Sequence, residues 1–191
     1  SPSVNAENFL ATHEEANFLD VFCGHFDLND LEANLWKHRL QEKFYTVSAN
    51  AMAANKIAEA LWASMFSKVA LGPGILYLRL EQNALKVFRA GPFYVFTATG
   101  SVWEVDSSGE TFFNSSFSAE DLKELNLPKL LLVVTQDILD VLEMDASSFT
   151  EHLNQITTTS TKELVGAIVE KIYHQQVSEV AGFILAIKRK F

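Results

Sequence analysis

Apolar residues recur along this chain with two different periods, and the changes of period predict an α+β fold. Residues 18–26 form a short aromatic run that is typical of a strand, and residues 44–47 favour a second strand. From 50 to 69 the apolar residues follow i, i+3, i+4 spacing, which predicts an amphipathic helix. Ser48 or Asn50 is suited to cap the start of that helix, because both side chains accept hydrogen bonds from backbone N–H groups.

After this helix the pattern changes to short strands. Apolar runs at 75–80, 85–89, 93–96 and 102–105 are separated by residues that favour tight turns. Short strands joined by tight turns predict an antiparallel meander.

The last third of the chain predicts a buried strand, helices and a final strand. Residues 130–135 are almost wholly apolar, as in a strand that is covered on both faces, and residues 138–143 favour a helix. Ser148 and Ser160 are each followed three residues later by Glu, so both predict a helix start through a capping box. Residues 183–187 form the last strand. The whole pattern predicts an α+β domain in which helices cover two antiparallel sheets.

Length and composition fit one globular domain. The chain has 191 residues, of which 48% are hydrophobic and 15 are Phe, enough for one sizeable core. Residues 1–14 are mostly polar and predict a lead-in segment, so we place the domain at 15–191. Because the sequence starts at Ser1 without Met, we expect it to be the C-terminal part of a longer protein.

Charge and cysteine content narrow the class of partner. The formal net charge of −9 disfavours a nucleic-acid partner, since phosphates would be repelled. No apolar stretch is long enough for membrane insertion. Cys23 is the single cysteine and cannot form an internal disulfide, so we expect a reducing, cytoplasmic location and a buried, inert thiol.

The sequence contains none of the common motifs of enzyme active sites. The sequence contains no nucleophile elbow, no glycine-rich phosphate loop and no zinc-protease helix motif. The densest ligand-type groups are His13-Glu14-Glu15 and His25-x-Asp27, and ordinary polar surface residues account for both of them.

Five segments, taken in order, resemble landmarks of one superfamily. They are 15–22, 46–55, 90–102, 130–140 and 179–187. The first is similar to Gly-Gly-Asp-Phe-Tyr-Asp-Val-Phe, and the second stands where Asp-Val-Ser-Gly-His-Gly precedes a long helix. The third resembles an Ala-Gly-His-Pro hairpin, the fourth a strand ending in Thr-Asp-Gly, and the fifth the Asp-Asp-x-Thr segment before a last strand. The chain is therefore identified as similar to the bacterial metal-dependent serine/threonine phosphatases of type 2C, in the branch that regulates sporulation and sigma factors.

This resemblance implies a fold, a cofactor and a class of partner. The fold is an α-β-β-α sandwich of two antiparallel sheets flanked by helices. In the active family, aspartates hold two Mn²⁺ or Mg²⁺ ions, which lower the pKa of a bound water and clamp the phosphoryl group. Members of this branch work with protein partners, so the resemblance implies an anti-sigma antagonist or a sensor domain.

The chain departs from the family at the positions that would face the metals. Neutral or displaced side chains stand where the family has acidic or glycine ligands: Asn17, Thr46, Ala49, Gln136, Asp137, and either Val180 or Glu179 depending on the register. Loss of the carboxylates removes both the attraction for the cations and the need for them. We therefore expect an inactive, metal-free regulatory domain that acts by binding protein.

Two alternatives remain open on the sequence. In the first, Asp20 and Asp140, together with Asp137 and Glu179, rebuild one site for Mn²⁺ or Mg²⁺ in a divergent active phosphatase. In the second, the chain is a structural or assembly domain of unrelated fold, for which the aromatic cluster of Phe112, Phe113 and Phe117 is a candidate interface.

Overall fold

A computed structural model describes residues 6–27, 30–50, 52–65, 74–91, 93–106, 123–158, 160–177, 180 and 182–189. The strands in these ranges are β1 Ala6–Glu14, β2 Phe18–Asp27, β3 Gly74–Glu81, β4 Ala84–Ala90, β5 Phe93–Ala98, β6 Trp103–Val105, β7 Lys123–Asn126, β8 Leu130–Thr135 and β9 Ile184–Lys188. The helices are α1 Asp30–Ala49, α2 Ala54–Met65, α3 Gln136–Val141, α4 Ala146–Gln155 and α5 Thr161–His174.

The chain divides into two compact units, each built on one antiparallel sheet. The first unit comprises Ser1–Gly91 and Glu110–Leu127, and its sheet has the order β1-β2-β3-β4-β7 with α1 and α2 in the same unit. The second comprises Pro92–Gly109 and Pro128–Phe191, and its sheet has the order β6-β5-β8-β9 with α3, α4 and α5. The predicted α+β class with two antiparallel sheets and helices is confirmed.

The predicted meander is divided between the two sheets. β3 pairs with β4 in the first sheet, whereas β5 pairs with β6 in the second. The break falls at Gly91, whose φ of 109° lies in the region that side chains disfavour. Glycine at this point lets the chain leave one sheet and start the other.

Two segments near the N-terminus differ from the prediction. The expected lead-in contains β1, which pairs along its whole length with β2. The alternate residues Phe9 and Ala11 of β1 are buried. The segment is therefore a half-buried edge strand, although its composition is mostly polar. Residues 44–47 form the end of α1 and not a strand. Trp36, Leu40 and Phe44 recur every four residues and bury one helix face, and this packing overrides the local strand propensity.

Several predicted helix boundaries also need correction. Ser48 lies inside α1, and the amides of Lys56 and Ile57 bond to the carbonyl of Ala53, so α2 begins just after Ala53. The cap of α4 is Asp145, whose carboxylate accepts a hydrogen bond from the Ser148 amide at 2.7 Å.

Other local predictions are confirmed. The Ser160 hydroxyl accepts a hydrogen bond from the Glu163 amide and caps α5 as predicted. All six residues of β8 are buried, as its apolar run indicates. The expected interface at Phe112, Phe113 and Phe117 lies outside the described residues.

Each unit has its own apolar core. In the first, the Phe22 ring stacks on Phe44 at 5.4 Å and meets the edge of Phe9 at 5.2 Å. In the second, the Phe96 ring on β5 meets Phe149 on α4 at 4.9 Å, and both side chains are fully buried. These aromatic contacts join helices to their sheets and supply more than area burial alone.

The predicted burial of Cys23 is confirmed, and it makes the thiol unreactive. Burial raises the pKa of the Cys23 thiol from 9.0 to about 12. We expect a thiol reagent to modify Cys23 only as fast as the chain unfolds, because the thiolate is the reactive form.

The same pKa difference predicts a loss of stability at alkaline pH. The unfolded chain ionises Cys23 near pH 9 and the folded chain only near pH 12, so stability is full below pH 9 and falls as pH rises towards 12. Urea unfolding of the wild-type chain and of Cys23→Ala across this range tests it, because the variant must lack this component of the slope. Equal slopes would contradict the assignment.

Candidate functional site

The residues of the first unit that correspond by sequence to metal ligands in the resembled family do not form a cluster of carboxylates. Asn17 lies in the turn between β1 and β2 and is exposed. Thr46 is exposed within α1, where its hydroxyl donates to the Glu42 carbonyl at 2.8 Å, and Ala49 is the last residue of that helix. The resemblance requires a strand end at Thr46, so the matching of residues 46–55 to the family motif is wrong in its local structure.

Asn17 borders an open pocket whose lining includes a single carboxylate. The pocket has a volume of about 340 Å³ and lies between the β1–β2 turn and the β3–β4 turn. It is lined by Asn17, Phe18, Glu81, Gln82, Asn83 and Ala84. The one carboxylate in this set, Glu81, pairs with Lys86 at 3.0 Å. Such a wall offers hydrogen-bonding groups but too little negative charge for a divalent cation.

Asp20, the nearest acid to the first motif, is already neutralised. It is fully buried on β2, and the Arg79 guanidinium donates to both its oxygens, from Nε at 2.7 Å and Nη2 at 2.9 Å. The Tyr77 hydroxyl donates a third hydrogen bond at 2.7 Å. Burial and the adjacent Asp20 carboxylate raise the pKa of Tyr77, so its hydroxyl stays protonated as a donor. The carboxylate therefore has an internal cation in place of a metal.

Arg79 also ties the sheet to the segment between the two helices of its unit. Its Nη2 donates to the Met52 carbonyl at 2.9 Å, and its guanidinium lies 3.8 Å from the centre of the Phe18 ring. Met52 lies between α1 and α2, so the arginine fixes the start of α2 against the strand that carries Asp20. The geometry of this buried network is that of a bidentate ion pair.

In the second unit, the Gln136 side chain lies between Tyr94 and Asp140. The Gln136 side chain accepts a hydrogen bond from the Tyr94 hydroxyl at 2.7 Å and donates to Asp140 at 2.8 Å. Asp137 lies in the first turn of α3, where a carboxylate interacts favourably with the helix dipole. Val180 is partly buried against the core of its unit, and Glu179 lies outside the described residues.

Near the end of β2 lies a pair of polar side chains, Asn8 and His25, that no sequence motif predicted to be in contact. Asn8 and His25 face each other across the β1–β2 pair, and the Asn8 amide oxygen lies 2.5 Å from His25 Nδ1. His25 is buried, and α1 follows β2. In the described residues this is the strand end that leads into a long helix, which is the context of the Gly-His dipeptide in the resembled motif. The sequence signal was Gly24-His25 itself.

Gly24 has a packing reason of its own. A Cβ atom there would lie 2.0 Å from the Phe9 ring, so any side chain would displace the aromatic core of the unit. The Gly-His dipeptide therefore does not by itself indicate chemistry.

The described donors do not fit a pair of divalent cations. Within the described ranges no group of three or more His, Cys, Asp and Glu side chains is placed to hold a metal ion. Mn²⁺ and Mg²⁺ require several oxygen donors, chiefly carboxylates. Asp20 is bound by Arg79 and Tyr77, Asp140 is bound by Gln136, and Asp137 lies in the first turn of α3. The other nominated positions that the structure describes are neutral.

Comparison with known proteins gives the fold but no sequence relative. No protein-family model matches the chain, and no curated protein matches it either. Among solved structures, the phosphatase domain with a regulatory fragment of the cell fate determinant SpoIIE from Bacillus subtilis has a TM-score of 0.74 at 10% identity. That match covers 95% of this chain and 58% of the SpoIIE chain, so this chain spans little more than half of it.

Two further structures agree. The SiaA phosphatase domain of Pseudomonas aeruginosa has a TM-score of 0.72 at 12% identity, over 96% of this chain and 80% of that one. The RsbU and RsbW domains of Rv1364c from Mycobacterium tuberculosis have a TM-score of 0.68 at 12% identity, over 99% of this chain and 58% of theirs. All three similarities extend over nearly the whole of this sequence. The chain therefore has the fold of the bacterial type 2C phosphatases.

Proposed function

We propose that this chain is a catalytically inactive, type 2C phosphatase-like regulatory domain that acts by binding another protein. The observation that carries the proposal is the state of the two residual acids. Asp20 is neutralised by a buried arginine, and Asp140 is hydrogen-bonded to Gln136. A divergent active phosphatase would need both carboxylates as metal ligands, and recruiting Asp20 would leave Arg79 buried without its partner.

The fold supports a role in bacterial signalling or sigma-factor control. The SpoIIE structure includes a regulatory fragment, and the Rv1364c structure combines RsbU and RsbW domains. We extend this to an anti-sigma antagonist or a sensor domain as the partner of this chain, in a cytoplasmic setting. In the described residues no helix has both the length and the apolar character to cross a bilayer. Co-purification with candidate antagonist and sensor domains from the same organism tests the partner class.

The absence of a metal role is directly testable. We expect Mn²⁺ and Mg²⁺ to leave the melting temperature unchanged, and we expect no metal-dependent hydrolysis of a phosphoserine peptide. A cation present at about 100 times its dissociation constant would stabilise the fold by about 2.7 kcal/mol. For a chain of this size, that corresponds to a rise of roughly 5–10 °C in melting temperature.

The control is an active type 2C phosphatase measured with the same metals and peptide. A rise of several degrees, or turnover that a chelator abolishes, would refute the proposal and favour the active alternative. Substituting Asp20 and Asp140 with Asn would then identify the ligands, because only a true ligand removes the metal response.

A further inference from the structure

The exposed face of α5 has features that the fold of its own unit does not explain. Leu164 and Ile168 are buried on the inner side of this helix. Gly166 lies half a turn from both and is exposed, at the centre of the outer face. Val169 and Tyr173 lie on the same outer face and are 50% and 81% exposed. Two exposed apolar side chains therefore follow a residue without a side chain on the same helix face.

Nothing inside the described structure requires glycine at this position. Apart from the backbone of α5 itself, a Cβ atom at Gly166 would have no neighbour within 4 Å in the part of the chain that the structure describes, and the φ angle of Gly166 is not positive. Glycine is among the least favourable residues in a helix interior. A glycine on an outer helix face does, however, allow another backbone to approach closely.

The charges on this outer face are complementary to those on the same face of a second, antiparallel copy of α5. Lys162 lies four residues before Gly166 and Glu170 lies four residues after it, so the two charges are related by reversal of the helix about the glycine. When two copies of α5 cross in antiparallel orientation with Gly166 against Gly166, each Lys162 faces Glu170 of the other copy. A parallel pair would instead place like charges together.

We infer that the outer face of α5 is a self-association surface, through which two copies of this chain pair in antiparallel orientation about Gly166. The contact is isologous, as a two-fold dimer requires, because each copy contributes the same residues. Val169 and Tyr173 add apolar area on one flank of the crossing. A single helix pair buries less than a standard interface, so we expect a weak, reversible dimer with a micromolar dissociation constant.

Sedimentation equilibrium of the whole chain over a range of concentrations tests this surface. We expect a monomer–dimer equilibrium that Gly166→Leu abolishes, since the leucine holds the backbones apart while its Cβ atom meets no described residue of its own chain within 4 Å. Gly166→Ala is the matched control for helix stability, and we expect it to dimerise more strongly than Gly166→Leu. Circular dichroism confirms that each variant is folded.

A charge exchange tests the antiparallel register. We expect Lys162→Glu alone and Glu170→Lys alone each to weaken the dimer by about tenfold, since two exposed ion pairs become repulsive contacts. The double variant restores the opposite charges and is expected to dimerise like the wild type. Glu151→Lys on the exposed side of α4 is the control and is expected to have no effect.

Three results would overturn the inference. They are a monomer at every concentration up to millimolar, a dimer that survives Gly166→Leu, and a double charge variant as weak as the single ones. None of these results depends on whether the domain is catalytically inactive, so failure here leaves the proposed function untouched.

Discussion

Replacing Arg79 with Met is expected to lower the free energy of unfolding by about 3–5 kcal/mol, because it leaves the buried carboxylate of Asp20 without its counter-charge. The side chain of Asp20 is fully buried, and Arg79 supplies two of the three hydrogen bonds described for it. Methionine has similar bulk, so the loss arises mainly from the uncompensated charge and from the unmatched Met52 carbonyl. Urea unfolding followed by tryptophan fluorescence measures it.

Two variants make this result specific. Lys86→Met breaks the partly exposed pair with Glu81 and is expected to cost no more than about 1 kcal/mol. The double variant Asp20→Leu with Arg79→Met removes both charges and is expected to be more stable than Arg79→Met alone. A loss below about 1 kcal/mol for Arg79→Met would show that water or another cation reaches Asp20. The Asp20 carboxylate would then be open to a metal ion.

Truncating Phe149 to Ala is expected to destabilise the chain by about 3–5 kcal/mol, by the loss of burial and the cavity that remains. The Phe149 ring is fully buried between α4 and its sheet and meets Phe96 at 4.9 Å. Because Phe149 belongs to a cluster of buried apolar side chains from β5, β8 and α5, the site has little freedom to collapse. Thermal and urea unfolding of the purified variant test the prediction.

The control lies two residues further along the same helix. Glu151 is exposed, so Glu151→Ala is expected to change stability by no more than about 0.5 kcal/mol. A small effect of Phe149→Ala would mean that α4 does not pack on its sheet in solution. Phe149→Leu is expected to lie between the two, since it keeps part of the buried volume.

The two acids nearest the motif positions, Asp20 and Asp140, each have a partner within their own unit. A carboxylate cluster is stable only with cations, because its charges repel one another. Here the partners are the Arg79 guanidinium for Asp20 and the Gln136 amide for Asp140.

The alternation of periods in the sequence was sufficient for the fold class and for most strands. β2, β3, β4, β5 and β8 follow runs of apolar residues bounded by turn signals. The cap of α5 at Ser160 could also be predicted from the sequence, because a capping box is a local pattern. Helix α1 was not, because the strand propensity of residues 44–47 competes with a helical spacing that begins near Trp36 and is visible only over three turns.

The candidate site was much less accessible to sequence reasoning. The neutral character of Asn17, Thr46 and Gln136 was visible directly, but their partners were not. Arg79 lies 59 positions from Asp20, and strand pairing places the two opposite each other. The motif alignment at Thr46 failed because a strand end and a helix end can carry the same short sequence.

The sequence by itself determined that this chain folds as an α+β domain and that Asn17, Thr46 and Gln136 carry no charge. Both properties depend on residue type and period, which are local. Only the tertiary structure decided that Asp20 is paired with an arginine, that β1 is an edge strand of the first sheet, and that Gly166 faces outward. Those properties depend on contacts between residues far apart in the chain, which no local pattern specifies.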